Sequence, residues 1–535
     1  MKRRKLTVWM LLVTMCGAFA LGGCSGRTGN EEEETAPAVE QEEDAEPAVG
    51  AGDEQSPGQE ESEAQETAPQ VTFAREEKDW YDEESGKWAL HLKYDTAEVQ
   101  GEGFETVAES VTQWSDQREE ELLTYGEGLY PTASEEAALS ESASADSYYY
   151  SIFEELEVMR ADSRVISLRE LNSDYTGGAH GNYGYTGIVF DSQTGALLSL
   201  DDILKDEEGF QQEAAGYIAE ELKVRYGEGL FPEYESTVED MWESGPVWYL
   251  DGAGITFVFN PYEVGPYAMG TAEVTLPYDV FGEYMEDAYA GINGAGAAAL
   301  PENTDVFLTL ASEDSVQQRL NIRTETDEEY GETQITLELG DSSVVAGTFG
   351  RMGSAYLLNL TDGRSFVLFD ADYASDDYVT FLYEITGGVI KEGNRLEGIS
   401  LSDGAINTEL LTLRMSLNVF GTYYGMMDYK IDENGMLAQQ SDIFQIMGND
   451  SDAYLLTVIQ DLPVTIDGRE TILSAGSRIR ITGTDNQGLA YFRVDESGEE
   501  GSILYERGDG ADDTWTLYVN GRPETDYFEM LPYAG

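Results

Sequence analysis

Apolar residues recur at helical spacing in two stretches, Phe104 to Tyr125 and about Gly209 to Tyr226, and beyond residue 303 that spacing largely disappears. A 3.6-residue repeat lays one stripe on a helix, whereas strict alternation turns one face of a strand toward a core. The chain must therefore change architecture along its length. The expected fold class is an α+β N-terminal domain, an antiparallel sheet with two main helices, followed by all-β structure.

Before the first helix, Val71 leads through the turn at Asp82 to Lys87 into the alternating Trp88-Ala89-Leu90-His91-Leu92-Lys93-Tyr94, a hairpin signal. The first helix is expected to break at Gly126. Strands are expected at Tyr148 to Glu157, Arg164 to Leu171, Tyr185 to Asp191, Ala196 to Leu200, Val247 to Leu250, Ile255 to Phe259 and Thr271 to Leu276. Both helices end in near-identical words, Tyr125-Gly126-Glu127-Gly128-Leu129-Tyr130-Pro131 and Tyr226-Gly227-Glu228-Gly229-Leu230-Phe231-Pro232. Duplication of a hairpin-plus-helix unit explains this, and so does convergent capping by glycine. The Gly/Ala-rich stretch 290–303 reads as a linker. The expected domains are 71–289, a β-rich 304–450 and a small barrel at 451–535.

Ahead of these domains, Met1-Lys2-Arg3-Arg4-Lys5 precedes an apolar run from Leu6 to Ala20 and then Leu21-Gly22-Gly23-Cys24. That order predicts a lipoprotein signal peptide, residues 1–23, cut so that Cys24 carries a lipid. The apolar run is shorter than the roughly 20 residues needed to cross a bilayer. From Glu31 to Gln70 there are fifteen Asp/Glu and no Lys/Arg, with almost no large apolar side chain. Residues 24–70 are thus expected to form a lipidated, acidic, disordered stalk reaching roughly 35 Å from the outer face of a bacterial membrane.

Removing Lys2, Arg3, Arg4 and Lys5 from 30 Lys+Arg leaves 26 against 105 Asp+Glu. Such charge excludes nucleic acid as a natural partner and favours cationic ones, or serves only to keep the chain soluble. Cys16 lies in the signal and Cys24 is the lipid site, so no disulfide and no thiol nucleophile is expected. His91 and His180 are the only histidines, which disfavours three-imidazole zinc sites. Neither a nucleophile elbow nor a phosphate-binding Gly-rich loop is present. No catalytic residue and no cofactor are assigned; calcium, bound by the acidic body without an EF-hand loop, stays open.

The words Asp174-Tyr175-Thr176-Gly177-Gly178-Ala179-His180-Gly181, Ile188-Val189-Phe190-Asp191 and Leu200-Asp201-Asp202-Ile203 occur in that order. Together with Gly254-Ile255-Thr256-Phe257-Val258-Phe259-Asn260-Pro261-Tyr262-Glu263-Val264 and Pro266-Tyr267-Ala268-Met269-Gly270, they resemble an extracytoplasmic domain family of unknown function. That family occurs in lysozyme-responsive anti-sigma factors and beside peptidoglycan deacetylases. The resemblance covers about residues 71–287 and implies an α+β fold that recognises a ligand at the cell surface. Neither a transmembrane helix after a sigma-binding region nor a deacetylase domain accompanies it, so transmembrane signalling and deacetylation do not carry over. Residues 456–505, with Leu473-Ser474-Ala475-Gly476-Ser477-Arg478-Ile479-Arg480-Ile481, resemble bacterial SH3-like modules.

The candidate ligand-binding residues are Tyr175, His180, Tyr262 and Tyr267. His180, set among glycines, either offers an exposed imidazole or hydrogen-bonds neighbouring backbone to hold a strained turn. Tyr262 and Tyr267, each beside a proline, either stack sugars or pack on a sheet. Trp248 is expected in the core, and Asp201 and Asp202 as caps. The leading expectation is a non-catalytic surface lipoprotein that binds a cell-wall component or a cationic protein such as a lysozyme. The alternatives are a carboxylate-dependent wall glycan hydrolase and a calcium-binding structural lipoprotein.

Overall fold

The computed structural model describes residues 67–140, 148–310, 317–327, 329–373, 377–401, 405–448, 452–508 and 516–534. Cys24, the signal-like segment and nearly all of the acidic stretch lie outside them. Strands β1 (Gln70–Asp82) and β2 (Lys87–Gln100) form the expected antiparallel hairpin. Helix α1 (Glu105–Leu139) then crosses to β3 (Tyr150–Asp162), which pairs with β2 in parallel, Leu90 opposite Tyr150. The sheet is therefore mixed rather than purely antiparallel, because a long helix returns the chain to the same end before β3 begins.

Strands β4 (Val165–Tyr175) and β5 (Asn182–Asp191) continue from the other edge of β3 as an antiparallel meander. Residues Ala196 to Leu200 form no strand. Only a single bridge, Phe190 to Leu197, is made there, and Ser199 and Asp202 close a capping box over the turn Leu200–Ile203. Next come α2 (Glu207–Tyr226), α3 (Tyr234–Ser244) and a small sheet of β6 (Val247–Leu250), β7 (Gly254–Phe259) and β8 (Ala272–Pro277).

Alternation assigns the two faces of the first sheet. Ile166, Leu168, Ile188 and Phe190 pack with Val107 and Val111 of α1, while Val165 and Val189 point the opposite way, into the core shared by α2 and β6–β8. Helix α1 is also pinned by charge. Its Arg118 bonds Glu154 of β3 and Glu170 of β4, and both carboxylates are almost fully buried.

The stretch read as a linker contains β9 (Gly296–Ala299), buried along its length. It pairs with the end of β3, Arg160 opposite Ala298, and with the strand Arg351–Asn359, Tyr356 opposite Ala299. Its Gly-Ala-Ala-Ala composition, which resembles a flexible spacer, instead lets a strand sit between layers with little side-chain bulk. Beyond it, β10 (Val306–Thr309), β11 (Gln317–Asp327), β12 (Glu332–Leu339) and β13 (Ser342–Phe349) form a four-stranded sheet. Strands β14 (Arg351–Asn359), β15 (Ser365–Asp372), β16 (Tyr378–Glu384) and β17 (Lys391–Glu397) extend the first sheet to ten strands.

Every residue of β15 is buried. Val367 and Phe369 face the four-stranded sheet, and Phe366 and Leu368 face the strands that follow residue 398. Eleven of those strands, from Ile399–Leu401 to Glu500–Leu504, form one sheet in which Phe444–Met447 is bonded to Arg478–Thr484, and Glu506–Arg507, Leu517–Val519 and Arg522–Pro523 form a separate three-stranded sheet. No closed barrel is formed among the described residues. What the structure shows is an α+β region followed by extensive β-sheet, all in one compact unit, Glu66–Gly535.

Candidate functional site

The first quoted word forms the turn between β4 and β5. Gly177 and Gly178 take φ of +83° and +118°, which bends the chain so that His180 lies exposed at the tip. The Nδ1–H of His180 donates to Gly181 O at 2.7 Å, leaving Nε2 as an acceptor toward solvent. The second word forms a loop after β7. There Tyr262 is 57% exposed and takes a left-handed φ of +77°, a conformation that stores about 1–3 kcal/mol in a non-glycine residue.

Asn260 brings the two words together. Its side-chain Oδ1 accepts from Tyr185 N at 2.7 Å and its Nδ2 donates to Tyr185 O at 3.1 Å, so a side chain completes the free edge of β5 as a strand would. The result is an aromatic stack. His180 lies over Tyr267 at 4.4 Å with 27° between planes, Tyr262 lies 5.7 Å from Tyr267, and Tyr183 meets the same ring edge-on at 5.7 Å. His180 thus holds neighbouring backbone and presents a ring at once.

Tyr175 does not join the stack; its hydroxyl donates to Gly178 O at 3.2 Å within the turn. Tyr183 completes the stack and escaped the sequence reading, although alternation along β5 could have placed it on the same face as Tyr185. Trp248 packs in the core at 9% exposure, and Asp202 accepts from Ser199 N at 2.8 Å as a cap. His91 is buried and bonded to Asp79 at 2.6 Å. Among the described residues no group of three or more His, Cys, Asp or Glu is placed to hold a metal ion.

A second feature lies at the seam between the α+β region and the β-rich remainder. A cavity of about 300 Å³ is lined by Arg75, Arg169, Arg351 and Arg414, with Glu155 and Asp370 among its carboxylates. Arg169 is bonded to Glu157 and Glu273, and its guanidinium lies 4.8 Å from the Tyr185 ring. Asp370 accepts from Leu401 N at 3.0 Å and Ser354 N at 2.9 Å. Burial nevertheless dominates and pushes its carboxyl up to about 6. Sequence reasoning missed this cleft because its residues come from strands more than two hundred positions apart.

Asp251 is pushed up to about 6 for the same reason, but it is fully enclosed in its turn, bonded to Ala253 N, Gly254 N and the Thr256 hydroxyl. It is a structural carboxylate. No helix among the described residues is long and apolar enough to cross a membrane.

Comparison with known proteins adds the following. No curated protein matches the chain. A crystal structure of a DUF3298 family member from Bacteroides fragilis is 22% identical, with 42% of this chain covering 95% of that one at a TM-score of 0.31. Another DUF3298 family structure, from Pseudomonas aeruginosa, is 15% identical, with 43% of this chain covering all of that one at a TM-score of 0.32. Tyr262, Tyr267 and Asn260 fall within the family match, while His180 and Tyr183 precede it. The match itself spans residues 201–279, so the chain contains a DUF3298 domain, one of a family described as a protein of unknown function.

Proposed function

We propose that the chain is a non-catalytic extracytoplasmic lipoprotein, anchored through Cys24, whose α+β region binds a cell-wall glycan. The stack of half-buried Tyr267 with exposed His180 and Tyr262 carries this reading. Aromatic faces left toward solvent, with one ring held in a strained backbone, match the apolar faces of sugar rings. The lipobox-like Leu21-Gly22-Gly23-Cys24 supports the anchor, and the acidic segment after it supports a stalk that lifts the binding face from the lipid.

The test is sedimentation of the purified chain with insoluble peptidoglycan, alongside a Tyr267→Ala variant. Retention lost with Tyr267 is expected; equal retention of both forms, or none of either, overturns the reading. A second reading, capture of a cationic protein, is favoured by the formal charge of -75. Binding to a lysozyme-type protein that survives 0.5 M salt and depends on Tyr267 would select it, since plain charge pairing is screened. Incorporation of labelled palmitate that disappears in Cys24→Ala checks the anchor.

A further inference from the structure

Outside the signal the chain holds only 26 Lys+Arg against 105 Asp+Glu, yet four arginines line one cavity of about 300 Å³. Their planes are fixed in advance. Arg75 is bonded to buried Asp95 at 2.8 Å, Arg169 lies against Tyr185, and Arg414 lies 4.8 Å from the Tyr424 ring. Arg351 holds Asp372 at 3.3 Å through Nε while its side chain is 68% exposed. Guanidinium groups so oriented favour planar, bidentate acceptors such as carboxylates.

The same cavity carries carboxyl oxygens that can accept hydrogen bonds. Glu155 is 44% exposed, and Asp370 reaches the wall because residue 353 is glycine: a Cβ there would fall 2.1 Å from Asp370 Oδ1. A matching ligand must therefore supply both a carboxylate for the arginines and hydroxyl donors for Glu155 and Asp370. A phosphate dianion supplies at most one donor and meets repulsion from those carboxylates. The cavity volume lies at the small end of the range for small-molecule sites, which suits one or two sugar rings.

Position adds a second argument. Tyr185, which lines the cavity, and Tyr183, which meets Tyr267, are two residues apart on β5 and so share a face about 7 Å apart. The cleft adjoins the aromatic stack.

We infer that the cleft binds the acidic unit of a glycan, a sugar ring bearing one carboxylate and free hydroxyls. Arg351 and Arg414 grip the carboxylate, and Glu155 accepts from the hydroxyls. The inference builds on the glycan reading above and names the chemistry of the sugar.

Calorimetric titration of the full chain, carrying Cys24→Ser, with glucuronate, glucose and inorganic phosphate tests it. Saturable binding of glucuronate is expected, with glucose and phosphate at least about tenfold weaker. Arg351→Ala and Arg414→Ala should each weaken glucuronate about tenfold while far-ultraviolet circular dichroism shows the fold intact. No glucuronate binding, phosphate binding as tight as glucuronate, or indifference to Arg351→Ala each overturns the proposal. Peptidoglycan retention that is unchanged in Tyr267→Ala, with glucuronate binding that depends on Arg351, would fault the aromatic reading alone.

Discussion

Two seven-residue words, Tyr125 to Pro131 and Tyr226 to Pro232, differ only in having Tyr130 where the other has Phe231, yet they take different structures. The first runs through the interior of α1, with Pro131 inside the helix. The second ends α2 at Tyr226, and Gly227–Gly229 turn the chain away in a 3₁₀ turn. Local preference is nearly the same in both, so packing makes the difference.

Gly126 is buried against Trp80, whose ring stands 2.5 Å from where a Cβ would lie, and Leu129 and Tyr130 pack on the cluster around Leu90 and Leu92. Further along, Ala133 and Ala137 are fully buried, and Lys87 from the first hairpin donates to Ala137 O and Ser140 O at 2.7 Å each. A helix continued past two glycines and a proline thus gains a buried face and a capped end. After Tyr226 the chain leaves the helix in a 3₁₀ turn. Phe231 N–H instead donates to Val264 O at 2.8 Å, which draws the chain onto the loop that carries Tyr262 and Tyr267.

The sharpest way to break this comparison is to exchange the prolines for alanine. Pro131→Ala restores a helical N–H at an exposed position and should raise stability by up to about 3 kcal/mol in urea unfolding. Pro232→Ala, in a loop, should lower it by less than about 1 kcal/mol. Changes of the same sign would mean that the words are not in different structures.

Gly227 has φ +49° and ψ −117°, a combination that side chains resist, and nothing stands within 4 Å of a Cβ there. Gly227→Ala should therefore cost about 1–3 kcal/mol through backbone strain alone, with no neighbouring substitution able to rescue it. Lys87→Met should cost about 1–2 kcal/mol and reduce helical ellipticity, because it strips the cap from α1. An unchanged ellipticity would show that α1 does not need it.

At Gly126 the obstacle is a ring, so Gly126→Ala should destabilise by about 1 kcal/mol in the native background. In a Trp80→Leu background the same change should stabilise by about as much, from helix propensity. Failure of the sign to reverse in thermal melts would break the packing account.

The smallest effect is a slope with pH. Burial first, and Glu170 second, hold the Glu154 carboxyl well above the usual carboxylate range, beside Arg118 of α1. The folded chain then keeps a proton that the unfolded chain releases. Stability from this group falls as pH rises from the ordinary carboxylate value through the raised one. Glu154→Gln should flatten that fall, and an identical pH profile would remove Glu154 from the docking of α1.

Much of the strand order was legible because burial on one face leaves a two-residue alternation: Val247 to Leu250 was placed to the residue, and β5 and β7 within a few positions. Strands buried on both faces, such as β9, lack that alternation, and their small residues imitate a spacer. The parallel pairing of β2 with β3 was hidden because partners across a crossover leave no local mark. Three of the four candidate ligand residues meet in one stack, but the reason they meet is Asn260, whose bonds to the Tyr185 backbone resemble those of Asn407 to Val71, 336 positions away.

The sequence by itself determined where helices and one-sided strands form, which words are turns, and how strongly acidic the surface is. These follow from side-chain period, glycine and proline chemistry, and charge, all of which act over a few residues. Tertiary structure alone decided that one glycine word continues a helix while its near copy ends one. It also decided that a Gly/Ala stretch becomes a central strand and that scattered arginines share a cleft. In each case the deciding contact lies far along the chain, and its energy outweighs a local preference of about 1 kcal/mol per residue.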